Sequence, residues 1–185
     1  FLLAQRLQPQ AAKARLQVGL SEARACRDIS VLIGHCVIAR LEGSSGEFAK
    51  AFAELAEAER LMHIWDVPPI YYLAMITLVK CELWLAQGRT DLAEAWLTRL
   101  SQTYNGEHPA APPEFHPHLP LHIELQQALL EVIQGQPMLA EGRLNALLER
   151  GQQTGRQLLS TMALTQITSL LLSTGREPEA RKALG

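Results

Sequence analysis

The stretch LWLAQGRTDLAEAWL, residues 83–97, carries the pattern that decides the fold. Gly88 at its centre follows a run of helix-favouring residues, and a glycine there accepts the left-handed backbone in which a β-carbon would clash. Ala93 and Leu97 come five and nine residues later, so they share one face of the next helix. Cys81, seven residues before Gly88, is small enough for a close helix crossing. The stretch therefore predicts a hairpin of two antiparallel helices.

The same pattern recurs at three further glycines, Gly46, Gly135 and Gly175. Each is preceded by a small residue at minus seven and followed by alanine at plus five and leucine at plus nine. These residues are Ala39, Ala128 and Thr168, then Ala51, Ala140 and Ala180, then Leu55, Leu144 and Leu184. One such hairpin cannot bury its apolar face alone, so the repetition predicts that hairpins stack on one another.

A fifth junction keeps Ala12 and Leu16 but has Leu7 in the glycine position, which gives junction spacings of about 39, 42, 47 and 40 residues. We expect one repeat domain over residues 1–185, with turns near 7, 46, 88, 135 and 175. Residues 1–6 are predicted to end a first helix whose start is missing. Residues 105–120 hold five prolines and predict an extended loop. The other predicted helices are 9–26, 29–42, 47–64, 68–87, 90–104, 121–134, 137–152, 156–174 and 177 onward.

Composition removes several functional classes. Apolar residues make up 48% of the 185 residues, which excludes disorder, and the formal net charge of −2 provides no basic surface for nucleic acid. The three cysteines form no metal-ligand or disulfide pattern, so Cys36 and Cys81 are predicted as small core residues of a cytoplasmic protein. The longest uncharged stretch, 157–175, carries too many hydroxyls and amides for a membrane span. No membrane partner is expected.

The turn pattern resembles the tetratricopeptide repeat, although these units exceed its usual length of about 34 residues. That resemblance implies an all-α, right-handed superhelix (an α-solenoid) of stacked antiparallel helix pairs. Residues 83–93 and 175–180, and the proline-containing loop before His122, also resemble the helical-repeat domain of MalT-like, ATP-dependent LuxR-family bacterial activators. The resemblance covers essentially the whole chain.

The MalT-like resemblance implies a sensor that binds an inducer and thereby controls self-association and transcription. In that family, ATP is bound by an N-terminal module and DNA by a C-terminal helix-turn-helix domain. This sequence contains neither a phosphate-binding loop motif nor a recognisable helix-turn-helix, so ATP and DNA binding are assigned to no residue here. The sequence is interpreted as the sensor segment alone.

In tetratricopeptide-type superhelices, the first helix of each pair lines the concave groove. The groove position, six residues before the glycine, falls on Arg40, Glu82, Leu129 and Ser169. The simpler interpretation is that these residues merely face solvent. Concave repeat surfaces are nonetheless common binding faces, so Arg40, Glu82, Tyr72 and His122 are the candidate ligand-binding residues. Tyr71 and Tyr72 are adjacent, so only one of them can face the hairpin interior.

Other chemistry is weaker. His108, His116, His118 and His122 offer a metal-ligand set on the proline-rich loop, but we interpret them as surface and helix-capping residues and predict no metal site. His35 and Cys36 are neighbours that point about 100° apart on a helix, so they form no nucleophile–base pair. Trp84 and Trp96 flank the Gly88 turn and are predicted to pack in the core. No catalytic residue is predicted, and an enzyme is disfavoured.

Two functions remain. The first is an inducer-sensing domain of a MalT-like transcriptional activator that binds a small effector or a regulatory protein. The alternative is a generic tetratricopeptide-type scaffold that docks a protein without a small-molecule trigger. Apolar faces around Leu2-Leu3 and Leu171-Leu172 also predict self-association of this segment.

Overall fold

A computed structural model describes residues 8–104 and 119–184 of the protein. These residues form nine helices and no strand. In chain order the helices are α1 Pro9–Ala25, α2 Ser30–Ser44, α3 Phe48–Ile64, α4 Pro69–Ala86, α5 Thr90–Thr103, α6 Leu119–Ile133, α7 Pro137–Gln153, α8 Gln157–Ser173 and α9 Glu177–Leu184. The predicted all-α class is confirmed, and most of the predicted helix ends agree to within one or two residues.

The predicted loop over residues 105–120 is the main difference in helix boundaries. Helix α6 begins at Leu119, so Pro120 belongs to the helix and not to the loop. Proline is compatible with the first turn of a helix, where its missing N–H would have no intrahelical partner. The rest of that loop lies outside the described residues.

Each turn between consecutive described helices, apart from the 105–118 gap, uses a residue with left-handed backbone. The four predicted glycines do so, with φ between +73° and +79°. At Gly46 the backbone closes as a Schellman motif, because the Glu47 N–H donates to the Glu42 carbonyl at 2.9 Å. Three turns that the pattern did not include have the same backbone, at Arg27, Asp66 and Gly155. The predicted junction at Leu7 lies outside the described residues.

The residues of the repeat pattern are buried as predicted. The alanines at plus five are at most 1% exposed in all four glycine repeats, and the described leucines at plus nine are equally buried. The small residues at minus seven are also buried, with Thr168 the most exposed at 9%. The side chain of Leu184 lies outside the described residues. The pattern therefore marks core positions, as its physical interpretation required.

The chain divides into two compact units, residues 1–87 and residues 88–185. In the first unit, α1 packs on α2, α2 on α3 and α4, and α3 on α4. In the second, α5 packs on α6, α6 on α7 and α8, α7 on α8, and α8 on α9. Within each unit, consecutive helices stack as the helical-repeat prediction expected. The single-domain assignment over 1–185 stays a prediction.

The helices have also been tested as membrane spans. In the part of the chain that the structure describes, every helix is too short or too polar to cross a bilayer.

Candidate functional site

Arg40 and Glu82 form a two-pronged ion pair between α2 and α4. The Arg40 Nε donates to Glu82 Oε2 at 2.7 Å, and Nη2 donates to Oε1 at 2.8 Å. The sequence placed both residues at the groove position of successive repeats, and the structure brings them into contact. Because each charge already has its partner, a ligand at this position would have to displace a bidentate interaction.

Tyr72 is the member of the Tyr71–Tyr72 pair that faces the interior. Its side chain is 4% exposed and packs in the apolar core of the first unit with Ile76 and Leu61. Burial raises the pKa of the Tyr72 hydroxyl, and the charge of Asp28 adds to this effect. The ring is therefore a core element and offers no free face to a ligand; the side chain of Tyr71 lies outside the described residues.

His122 belongs to the second unit, where it is half-buried on α6 and already has an interaction partner. At the other two groove positions of that unit, Leu129 is half-buried and Ser169 is exposed. Of the four candidate ligand residues, the structure thus brings only Arg40 and Glu82 into contact with each other.

A polar cavity of about 300 Å³ lies among α1, α2 and α3, and sequence reasoning did not identify it. On its floor, His35 is 8% exposed and its Nδ1 lies 2.7 Å from Glu54 Oε2. Three helices each contribute polar atoms to one small space, which is typical of a ligand pocket. The lining residues are Gln17, Leu20, Ser21, Arg24, His35, Ile38 and Glu54.

Arg24 is held at the rim of the polar cavity by Glu57 of α3. The Arg24 Nη2 donates to Glu57 Oε1 at 2.7 Å, while Arg60 Nε donates to Glu57 Oε2 at 2.6 Å. The hydrogen bond from Arg60, and then the positive charges of Arg60 and Arg24, lower the pKa of Glu57 to about 2. Glu57 therefore stays ionised at physiological pH and fixes a positive charge beside the cavity.

An apolar groove of about 510 Å³ runs between α1 and α2, and we name it the α1–α2 groove. Leu20 lines both this groove and the polar cavity, so the two spaces lie on either side of one side chain. Leu20 packs on Gly34, where a β-carbon would approach Leu20 Cδ2 to 2.5 Å. The groove is lined by Ala12, Arg15, Leu16, Gly19, Leu20 and Ala23 of α1 and by Ser30, Ile33, Gly34 and Val37 of α2.

Metal and thiol chemistry find little support in the described residues. Within 8–104 and 119–184, no three His, Cys, Asp or Glu side chains are grouped to hold a metal ion. His108, His116 and His118 lie outside those ranges. Cys36 and Cys81 are buried as predicted, and burial raises the pKa of each thiol to about 12, which makes them poor nucleophiles.

The two tryptophans behave differently from each other. Trp84 of α4 packs against Phe52 of α3 with ring centroids 6.1 Å apart, as expected for a core residue. Trp96 of α5 is 37% exposed and carries the Arg99 guanidinium 5.1 Å from its ring centroid. The core prediction is therefore right for Trp84 and wrong for Trp96.

Comparisons with protein-family models, with curated proteins and with solved structures give no match to this chain.

Proposed function

We propose that this chain is the effector-sensing, regulatory helical-repeat domain of a MalT-like transcriptional activator, working in the cytoplasm. The observation that carries the proposal is the polar cavity, where Arg24, His35 and Glu54 come from three different helices. A volume of about 300 Å³ is at the lower end of the range for small-molecule sites. The effector is a small hydroxylated metabolite, such as a sugar, that donates to Glu54 and accepts from Arg24 or His35.

The signal passes through α1. Leu20 lines both the polar cavity and the α1–α2 groove, so an effector that repositions α1 alters the groove as well. An effector can shift the domain between two states only by the difference in its affinity for them. The domain acts by binding and has no catalytic residue of its own. It controls self-association, whereas ATP and DNA binding belong to other parts of such a regulator.

The first experiment is a thermal-shift screen of this chain against sugars, aromatic compounds and metabolites. An effector at 100 times its Kd stabilises the fold by about 2.7 kcal/mol, which raises Tm by several degrees. The variant Glu54→Gln should lose the shift. Glu59→Gln is the matched control, because Glu59 also lies on α3 and pairs with Lys80 at 2.6 Å but does not line the cavity. Silence across the panel, or equal loss in both variants, would contradict the effector site.

The α1–α2 groove favours a second function, a scaffold that docks a protein without a small-molecule trigger. Its lining is mainly aliphatic, and Ile33 on its wall is 46% exposed. Apolar side chains exposed along a groove suit a protein partner better than a hydroxylated metabolite. The experiment on the groove follows below, and its outcome does not depend on the effector.

A further inference from the structure

The α1–α2 groove corresponds, residue for residue, to a surface that is covered elsewhere in the same unit. Positions in α1 recur 39 residues later in α3, and positions in α2 recur 42 residues later in α4. The equivalents of the groove residues form what we name the α3–α4 bed. These are Ala51, Glu54, Leu55, Ala58 and Met62 of α3, for Ala12, Arg15, Leu16, Gly19 and Ala23, and Tyr72, Met75, Ile76 and Val79 of α4, for Ser30, Ile33, Gly34 and Val37.

Helix α2 fills the α3–α4 bed. It packs on both α3 and α4, and its apolar residues join theirs in one core cluster. Ala51, Leu55 and Ala58 are completely buried as a result. The bed is therefore a seat for an α-helix, and the equivalent α1–α2 groove has the same backbone layout with about 510 Å³ left unfilled.

The groove is wider than the bed because its side chains are smaller. Ser30 stands where the bed has Tyr72, and Ala23 stands where it has Met62. Gly19 likewise replaces Ala58. A helix in the groove must therefore bring larger side chains than the valine, cysteine and alanine that α2 places in its bed.

The charge at the rim of the groove is the reverse of that in the bed. In the α3–α4 bed, Glu54 holds His35 of α2 at 2.7 Å. The equivalent residue in the groove is Arg15, which is exposed. A helix that lies in the groove as α2 lies in its bed places a side chain opposite Arg15, and a carboxylate there has the complementary charge.

We propose that the α1–α2 groove is the docking site of an amphipathic α-helix from a partner protein. The helix presents leucine- or phenylalanine-sized side chains to the groove and a carboxylate to Arg15. The stretch of α1 from Ala12 to Ala23 spans about 16 Å, so the docked helix has about three turns. This is the helix-in-groove mode of recognition, with anchors spaced three and four residues apart. The proposal does not rest on the effector site.

The register explains why the first residues of this sequence are not the assigned occupant. Leu7 aligns with Gly46, so residues 1–6 align with positions 40–45 of α2 and its turn. The position opposite Arg15 aligns with His35, which is earlier than any of them. The centre of the groove is thus left to a helix supplied by a partner.

The test uses a labelled peptide copy of Ser30–Glu47 that carries His35→Glu, titrated into this chain and followed by fluorescence anisotropy. We expect saturable binding that Arg15→Glu weakens at least tenfold. A second peptide with His35→Lys should bind the Arg15→Glu variant better than the original chain, by a similar factor. Arg99→Glu, which reverses an exposed cation on α5, is the control and should change the affinity less than twofold. Lack of saturable binding, or equal binding to both Arg15 forms, would overturn the proposal.

Two further measurements separate the other occupants. If the double variant Leu2→Ser and Leu3→Ser tightens peptide binding tenfold, residues 1–7 occupy the groove, and the partner assignment is wrong. If the chain self-associates in sedimentation and Ile33→Glu abolishes this, a second copy is the occupant, and the assignment is again wrong. Glu54→Gln should leave peptide binding unchanged, so failure of the effector proposal is distinguishable from failure of this one.

Discussion

The α3–α4 bed and the α1–α2 groove are two versions of one structural element, and they differ in what covers them. In the bed, Leu55 is completely buried beneath α2. In the groove, its equivalent Leu16 is only half-buried and faces unfilled space. The repeat positions set the path of the backbone in both. The size of the side chains and the presence of a covering helix decide whether the surface becomes core or remains available for binding.

The largest expected effect comes from truncating the two equivalent leucines. Leu55→Ala removes a fully buried side chain and should lower the free energy of unfolding by about 3–5 kcal/mol. Leu16→Ala should lower it by less than about 1 kcal/mol, because its side chain already borders open space. Urea unfolding followed by circular dichroism measures both. Equal losses would mean that the groove is covered in solution and would end the comparison.

A smaller effect is expected from exchanging the residues at the next shared position. Ala58→Gly removes a buried methyl group and a strong helix former, and should cost about 1–2 kcal/mol. Gly19→Ala should stabilise the chain by about 0.5–1 kcal/mol, since a β-carbon there meets no atom within 4 Å. Thermal unfolding of the two variants tests the opposite signs. Destabilisation by Gly19→Ala would show that something already occupies the groove.

The ion pair between α1 and α3 predicts a pH effect of about 1 kcal/mol or less. Arg60 and Arg24 lower the pKa of Glu57 from 4.5 to about 2 in the folded protein. The ionised carboxylate therefore stabilises the fold above pH 4.5, and this contribution is lost as the pH falls towards 2. The stability difference between the original chain and Glu57→Gln should shrink over that range in urea titrations. A difference independent of pH would mean that Glu57 does not link the groove helix to the bed.

The smallest effect concerns the turns that precede α2 and α3. Arg27 has left-handed backbone with φ +53°, where the equivalent turn before α3 has Gly46. Arg27→Gly removes the β-carbon clash and should stabilise the chain by about 0.5–1 kcal/mol. Gly46→Ala should destabilise it by about 1 kcal/mol for the same reason. A loss of stability in Arg27→Gly, measured by thermal unfolding, would contradict this account.

Most of the fold was predictable from the sequence because its signals are local. Glycine, alanine and leucine at fixed offsets report the turn and the crossing within one hairpin, and all of the described examples are buried as expected. The turns at Arg27 and Asp66 were not part of the pattern, since their left-handed backbone is adopted without glycine. The short connection and the packing of the flanking helices impose that conformation.

The candidate site was predicted only in part. The groove register placed Arg40 and Glu82 on the same face, and they do meet. It could not decide whether Tyr71 or Tyr72 faces the core, because adjacent residues differ by only about 100° around a helix. It also missed the contact between His35 and Glu54. Those residues come from different helices, and neither carries a local motif.

The sequence alone determined the helices, their turns and the positions that pack at each crossing, because these depend on backbone conformation and side-chain size within about 20 residues. Only the tertiary structure decided which polar residues meet, which leucine is core and where space remains. Those outcomes depend on how one helix lies on two others, and no single repeat contains that information. The α1–α2 groove illustrates the division: its residues follow the repeat, but its open space arises from the packing of α1 on α2.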